Sequence, residues 1–221
     1  GIVEAVKHMQ PQKKLFWFPN GVDMDVFKKY TPSKNGTKQS FNILYAGIIG
    51  HAQGLEVVLH AANILKEQTS IEFCIIGDGP GKENLLSLQK ELKLTNVTFI
   101  ANQPHEKIIE HLQHCDAYVV PLRKLDLFKG AIPSKLFEPL AFGKPILLGV
   151  DGEARQLFID EAQGGLFYEP ENAKELANAI LQLQNNRELA QTLGAKGKDY
   201  VTTYFNRQHT AKQFEEQLHL L

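Results

Sequence analysis

Short apolar runs alternate with segments of helical periodicity along most of this chain. Apolar residues such as Leu55, Val58 and Leu59 recur at helical spacing between those runs. The runs predict six buried strands, at Phe41–Ile49, Ile71–Ile76, Val97–Ile100, Asp116–Leu122, Pro145–Val150 and Gly165–Tyr168. Near-continuous apolar strands that alternate with helices predict an α/β fold: a Rossmann-like parallel sheet of about six strands with helices on both faces.

The two ends of the chain differ from this alternating middle. Lys14–Pro19 predicts a short strand, with Phe16 and Trp17 in the core, and the polar stretch Asn35–Ser40 is typical of a linker. After Asn172, which begins a capping-box pattern with Glu175, the tail is helical and broken near Phe205. The expected divisions are an initial strand, turn and linker at 1–40, the Rossmann-like unit at 41–185, and C-terminal helices at 186–221.

Composition and charge exclude several classes of protein. The formal net charge is −1, from 24 basic and 25 acidic residues, so no global field favours nucleic acid. No apolar run approaches the roughly 18 residues of a membrane-spanning helix. Cys74 and Cys115 lie in or beside strand-like runs and are expected to be buried thiols of a reducing compartment, without a disulfide.

The stretch Pro133–Glu138 follows the fourth predicted strand and opens a helix. Proline and Ser134 favour a helix start, where backbone N–H groups point outward without partners. A cation is unfavourable in a first helical turn unless an anion binds there, so Lys135 indicates a diphosphate site. Glu138 shares its face and suits a sugar diol, although two solvated surface charges are the alternative. Pro139 is expected to kink the helix.

Ligands of parallel sheets bind at the carboxyl ends of the strands. Glycines occur there in two loops. Gly47 and Gly50 would let the backbone approach a phosphate or a sugar, and Gly77 with Asp78 would border a base or ribose. The alternative for both loops is a plain strand-to-helix turn, and the loop of Gly47 and Gly50 lacks the spacing of a dinucleotide-binding or Walker motif.

Three patterns imitate metal sites without predicting one. Asp23-Met24-Asp25 follows a turn well before the sheet begins, and His111–Cys115 ends an amphipathic helix. His105-Glu106 is not followed by a second histidine, because Ile109 stands at that position. No metal is expected.

Taken in order, the motifs resemble the C-terminal, donor-binding half of family-4 (group 1) glycosyltransferases of the GT-B fold. The Pro-Ser-Lys form is similar to bacterial enzymes that build O-antigen or capsule sugars, often from UDP-linked N-acetylamino sugars. The resemblance covers nearly the whole chain and rests on Pro19–Asp23 with Phe27, Tyr45–Gly47, Gly54–Glu56, Ile75–Pro80, Asp116-Ala117 with Pro121, Lys135–Glu138 and Gly143–Pro145.

The resemblance implies a role for each matching position. Glu138 matches the second glutamate of an E-x7-E motif and would hold the ribose, and Lys135, Ser134, Gly47 and Gly50 would surround the diphosphate. The base would lie beside Gly77, Asp78, Ile100, Ala101 and Asn102, and the donor sugar beside Gly130, Ala131 and Ile132. Two departures stand out: Gly130 replaces the first glutamate of the motif, and Ile48 and Gln53 replace frequent cations of the glycine loop.

The implied activity is transfer of a sugar from a nucleoside diphosphate, most often UDP, to a glycan or lipid-linked acceptor, with retention and without a metal or other cofactor. The family places an acceptor domain before this half, so the isolated half is expected to be inactive, with its last helices packing toward that domain. The implied location is the cytoplasm, at the inner face of the membrane through the acceptor or that domain. The alternatives are half of a nucleotide-sugar 2-epimerase, or a non-catalytic nucleotide-binding module. The Asn20–Asp23 and Lys135–Pro145 patterns favour the transferase, while Gly130 gives the module some weight.

Overall fold

Six parallel strands form the centre of the computed structural model, which describes residues 2–30 and 40–219. They are β1 Phe41–Ala46, β2 Ile71–Ile76, β3 Val97–Ile100, β4 Ala117–Pro121, β5 Ile146–Gly149 and β6 Gly165–Phe167. Their order is β3-β2-β1-β4-β5-β6, and every neighbouring pair is parallel. The predicted fold class is confirmed. The strand order reverses between β1 and β4, and such a reversal opens a crevice at the carboxyl ends of the two strands.

Helices cover both faces of the sheet, which explains why its strands are apolar on both sides. Phe41, Ile43 and Tyr45 of β1 belong to one buried cluster, and Leu44 and Ala46 to the other, as the two-residue period of a strand requires. The first cluster is covered by α3 Glu56–Ile64, α4 Lys82–Glu91 and α8 Ala173–Asn185, and the second by α5 His105–His114, α6 Phe137–Ala141 and α7 Glu153–Arg155.

The expectation of a strand at Lys14–Pro19 is wrong. The chain before the sheet forms helices α1 Ile2–Met9 and α2 Met24–Lys28, and residues 14–20 have no regular structure. Phe16 and Trp17 are 46% and 47% exposed, so they are not core residues. Strand propensity depends on a neighbouring strand and a buried face, and this aromatic segment packs instead on C-terminal rings: Trp17 meets Phe205 edge-on at 6.0 Å. Most of the expected linker, 35–39, lies outside the described residues.

The predicted break in the C-terminal helices is confirmed. Backbone hydrogen bonds from the N-terminal segment fix the chain at this break. Helix α9 spans Arg187–Tyr204 and α10 spans Arg207–Leu218. Between them, Phe205 O accepts from Val22 N at 2.8 Å, and Val22 O accepts from Arg207 N at 3.0 Å. Asn206 caps α10 by accepting from Gln208 N at 3.0 Å. The predicted cap at Asn172 also forms, because its side chain accepts from the backbone N–H of Glu175.

The helix expected over Pro133–Phe142 forms as two consecutive segments of different helical type. A 3₁₀ turn at Ser134–Leu136 leads directly into α6, which includes Pro139 and ends at Ala141. Pro139 lies in the first turn of α6, where a missing N–H interrupts no bond within the helix, and the division precedes it. A second irregular helix follows β5, where α7 continues as a π-helical segment over Gln156–Glu161.

Neither cysteine forms a disulfide. Cys115 is buried and Cys74 is half-buried, and burial raises the pKa of the Cys74 thiol to about 11. Among the helices within residues 2–30 and 40–219, none has the length and apolar character needed to cross a membrane.

Candidate functional site

Arg123 joins the loops that follow β1 and β4, the two strands between which the strand order reverses. We call this place the switch point. Its Nε donates to His51 O at 2.8 Å, and its backbone N–H donates to Ala52 O at 3.0 Å. Its guanidinium also pairs with Glu56 at 3.0 Å and Glu171 at 3.2 Å. The loop after β4 is therefore fixed against the loop after β1, and the charge of Arg123 is already committed to carboxylates.

Lys135 lies against the end of β1. Its Nζ is 2.9 Å from the phenol oxygen of Tyr45 and 4.5 Å from the centre of the Tyr45 ring. A Cβ placed on Gly47 would stand 3.5 Å from the same Nζ. The structure therefore brings two of the predicted diphosphate residues, Lys135 and Gly47, together at the crevice.

The ammonium group of Lys135 is desolvated and has no acidic partner in the described part of the chain. Burial lowers the pKa of Lys135 from 10.5 to about 8. The nearby lysines differ, since Lys129 pairs with Asp126 at 2.8 Å and Lys124 with Glu169 at 2.7 Å. A half-buried cation without a counter-ion has an unfavourable desolvation energy that an arriving anion would offset.

The backbone amides of Gly47 and Gly50 are already bonded within the protein. Gly47 N donates to Ile76 O at 3.0 Å, and Gly50 N donates to the side chain of Gln53 at 3.1 Å. The N–H groups of Ser134 and Lys135, in contrast, have no acceptor within residues 2–30 and 40–219. Of these four predicted diphosphate residues, Ser134 and Lys135 therefore offer backbone donors, whereas Gly47 and Gly50 do not.

The second glycine loop is packed tightly onto the first. A Cβ on Gly77 would overlap the carbonyl oxygen of Gly47, and one on Gly79 would lie 2.5 Å from Ile49 O. Asp78 accepts from Gly79 N at 2.9 Å and pairs with Lys82 at 3.3 Å, and these contacts hold the pKa of its exposed carboxyl below its ordinary value. These interactions give the second glycine loop a structural role, which is to support the first glycine loop.

Glu138 and the expected base-side residues occupy the other end of the crevice. Glu138 Oε1 lies 2.8 Å from His105 Nε2, and both side chains are about half exposed. Gly77 N donates to Ile100 O at 3.0 Å, so the end of β3 borders the glycine loops. Ala101 and Asn102 are exposed in the connection that leads to His105. The carboxylate thus lies beside the predicted base side, one helical turn from Lys135.

Gly130, the first residue of the predicted sugar loop, lines a cavity of about 950 Å³ that Trp17 of the N-terminal segment also borders. Gly130 ends a 3₁₀ turn over Asp126–Gly130, and Ala131 and Ile132 follow it, half-buried. Glu153 lines the same cavity and is half-buried, and its carboxylate has no hydrogen-bond or ion-pair partner among the described residues. The residue before Glu153 packs directly on the loop that ends at Gly130, because a Cβ on Gly152 would overlap Lys129 O.

Sequence reasoning missed three residues of this region. Tyr45 belongs to an apolar strand and to the Tyr45–Gly47 motif but had no predicted role, and His105 belonged only to an incomplete metal motif. Glu153 is distant from Gly130 in the sequence, and no local spacing links the two. Within the described residues, no group of three or more histidine, cysteine, aspartate or glutamate side chains is placed to hold a metal ion. Asp23 instead caps α2 by accepting from Asp25 N at 3.0 Å.

A Rossmann-like sheet of this strand order, with a cationic crevice at its switch point, is the form of one half of a GT-B glycosyltransferase. Residues 27–200 match the family model of glycosyl transferases group 1, and the chain belongs to that family. The family expected from the motifs is thereby confirmed.

Three similar proteins illustrate the match. An uncharacterized glycosyltransferase of Methanocaldococcus jannaschii is 26% identical over 157 residues, 71% of this chain and 42% of that protein. The N,N'-diacetylbacillosaminyl-diphospho-undecaprenol alpha-1,3-N-acetylgalactosaminyltransferase of Campylobacter jejuni is 26% identical over 188 residues, 85% of this chain and 47% of that protein. A mutant of S. aureus TarM, solved in complex with fondaparinux, alpha-GlcNAc-glycerol and UDP, superposes with a TM-score of 0.78 at 16% identity, covering 96% of this chain and 41% of that one. The chain therefore spans less than half the length of each of these proteins.

Proposed function

We propose that this chain is the nucleotide-sugar-binding half of a glycosyltransferase, and that Lys135 holds the diphosphate of the donor. The observation that carries the proposal is the desolvated ammonium of Lys135, which has no acidic partner among the described residues and lies at the switch point beside the unpaired N–H groups of Ser134 and Lys135. A diphosphate supplies both the negative charge and the acceptor oxygens that these groups lack.

The ribose and base of the donor extend along the crevice from Lys135 toward Glu138, and the sugar extends in the opposite direction. The carboxylate of Glu138 accepts hydrogen bonds from the ribose hydroxyls, and the base lies against Ile100, Ala101 and Asn102. Toward the cavity, the sugar passes the loop at Gly130–Ile132. Gly47 and Gly50 act through their small size rather than through their amides, which are bonded elsewhere.

The proposed donor is UDP-linked, with an N-acetylhexosamine or a hexose as the sugar. Support comes from a relative named as an N-acetylgalactosaminyltransferase and from a structural neighbour solved with UDP. The acceptor is a glycan or a lipid-linked saccharide, and a preceding half of the parent protein supplies its site. On this proposal the chain alone binds the donor without completing the transfer.

The chemistry assigned to this half is stabilisation of the leaving group. As the bond between the sugar and the diphosphate breaks, negative charge develops on the diphosphate, and the ammonium of Lys135 with the N–H groups of the 3₁₀ turn stabilises it. These groups replace a metal ion in the proposed reaction, which retains the configuration at the anomeric carbon. Full activity of the parent protein in EDTA and an α product from an α donor are the expected results.

Calorimetric titration with UDP and, in parallel, GDP tests the proposal. Lys135→Met is expected to weaken UDP binding about 10- to 100-fold, the range for loss of a hydrogen bond to a charged group. Lys107→Met is the matched control, because it removes an equal charge from an exposed pair with Glu110 on α5. If neither nucleotide binds, or if Lys135→Met and Lys107→Met bind equally well, the proposal is wrong.

Product analysis on the parent protein separates the transferase from its alternatives. Transfer of sugar to an acceptor supports the proposal, an epimerised nucleotide-sugar supports the 2-epimerase, and nucleotide binding without turnover supports a regulatory module.

A further inference from the structure

Tyr45 is a buried polar side chain at the edge of the proposed diphosphate site. It is the penultimate residue of β1, and its side chain is fully buried in the cluster under α3, with the phenol oxygen at the carboxyl end of the strand. There the oxygen lies 2.9 Å from Lys135 Nζ and 2.6 Å from the carbonyl oxygen of Ile48. Tyr45 thus contacts both the cation from the loop after β4 and the glycine loop after β1.

The hydrogen-bond polarity of this contact is fixed by chemistry. A carbonyl oxygen can only accept, so the single proton of the Tyr45 hydroxyl points to Ile48 O. The hydroxyl must therefore accept from an N–H of Lys135. Burial raises the pKa of Tyr45 above its ordinary value, so the phenol keeps its proton at physiological pH.

The ring of Tyr45 adds a second restraint on the same ammonium group. Lys135 Nζ lies 4.5 Å from the ring centre, within the range of a cation–π contact. A Cβ on Gly47 would lie in van der Waals contact with this pair, 3.5 Å from Lys135 Nζ and 3.6 Å from the Tyr45 oxygen, and the φ of +147° at this position favours glycine.

We propose that Tyr45 is a positioning residue that holds the ammonium of Lys135 over the glycine loop, so that Lys135 and the 3₁₀ turn at Ser134–Leu136 meet the donor diphosphate as one preformed site. This inference rests on the proposed function of Lys135. Without the hydroxyl, the long lysine side chain would sample other rotamers, and ordering it again on binding would reduce the affinity.

A double-mutant cycle on UDP affinity tests this role. The chain variants are Tyr45→Phe, Lys135→Met and the double variant, each titrated with UDP and, in parallel, GDP by calorimetry. Tyr45→Phe keeps the ring and removes only the hydroxyl, and it is expected to weaken UDP binding about tenfold. In the Lys135→Met background the same change is expected to have no effect, because the hydroxyl acts through the lysine.

Tyr118→Phe is the matched control for loss of a buried phenol. The Tyr118 hydroxyl donates to Ala46 O at 2.7 Å and accepts from Ala46 N at 3.1 Å. Ala46 is the residue after Tyr45 in β1, and the Tyr118 hydroxyl does not contact Lys135. Tyr118→Phe is expected to lower the melting temperature while UDP affinity stays within about twofold.

The outcomes separate this inference from the proposed function. If Lys135→Met weakens UDP binding and Tyr45→Phe does not, Tyr45 is not a positioning residue, although the proposed function stands. If Tyr45→Phe weakens binding equally with and without Lys135, its effect does not pass through the lysine, and the inference is wrong. If Lys135→Met has no effect on either nucleotide, the proposed function itself fails.

Discussion

The imidazole of His105 lies 2.8 Å from the carboxylate of Glu138, Nε2 to Oε1, and this contact links the start of α5 to α6 across the crevice. A carboxylate has two oxygens and about four acceptor sites, so the contact occupies one oxygen and leaves the other for a ligand. Both side chains are about half exposed, so the pair itself adds little to stability. Its value lies in fixing the direction of the carboxylate.

Replacing Glu138 by glutamine tests the proposed contact with the ribose. Because the amide has one acceptor oxygen and no charge, Glu138→Gln is expected to weaken UDP binding about tenfold. The specific readout is the comparison with 2′-deoxy-UDP, which lacks one hydroxyl of the diol. The wild-type chain should prefer UDP, and the variant should bind the two almost equally.

Thermal unfolding is the control for that variant. An exposed ion pair contributes about 0–1 kcal/mol, so the melting temperature should hardly change. A variant that still discriminates UDP from 2′-deoxy-UDP would show that another group reads the ribose.

UDP affinity is expected to depend on pH through Lys135. Burial lowers its pKa to about 8 from the ordinary 10.5, and a bound diphosphate favours the ammonium form. Affinity should therefore be greatest below pH 8 and fall as the pH rises above it, with uptake of a proton on binding. Calorimetry in buffers of different ionisation enthalpy measures that proton.

Lys135→Met provides the reference for this pH profile. Its UDP affinity should be flat from about pH 7 to 8.5, because the second ionisation of the phosphate, near pH 6, is then almost complete and the uracil still carries its N3 proton. In the free chain, the same lowered pKa predicts that the free energy of unfolding rises between pH 8 and 10.5, since the unfolded state binds more protons there. An affinity break in the wild type that persists in Lys135→Met would assign it to another group.

The sequence was sufficient to predict the sheet, because each strand is a short apolar run between helical patterns, and burial on both faces leaves that signature. It failed for Lys14–Pro19, where an aromatic run imitates a strand without a strand to pair with. Lys135 and Glu138 could be chosen from the sequence as candidate binding residues, because both lie in the first turns of one predicted helix. Tyr45, His105 and Glu153 could not be found in this way, since each meets its neighbour only through the tertiary fold.

Gly77→Ala is expected to be strongly destabilising. The position has φ +149°, and a Cβ there would overlap the backbone oxygen of Gly47, which cannot move without disturbing the glycine loop. Gly143→Ala is the matched control: φ is +70°, but the nearest atom would be 3.8 Å from the new Cβ.

The comparison sets a glycine with no room for a Cβ against one with room, and the φ of +149° at Gly77 adds backbone strain to the overlap. The control should cost about 1–2 kcal/mol for the left-handed backbone alone, and Gly77→Ala about 2 kcal/mol more. Urea unfolding of both variants measures the difference. Equal losses would mean that the two glycine loops can separate, and that their close contact is not required by the fold.

Glu153→Gln tests whether this carboxylate contacts the donor sugar. Glu153 lines the cavity beside Gly130 and is half-buried, and its carboxylate has no partner among the described residues, so sugar hydroxyls would supply the donors that it lacks. The variant is expected to bind UDP as the wild type does and to bind UDP-N-acetylglucosamine or UDP-glucose about tenfold more weakly, as loss of a charged hydrogen bond predicts. Glu161→Gln is the matched control, because that carboxylate lies on the following π-helical segment and accepts from Tyr200 at 2.8 Å. A loss of affinity for UDP itself would place Glu153 at the nucleotide, and equal affinity of both variants for the nucleotide-sugars would exclude Glu153 from the sugar site.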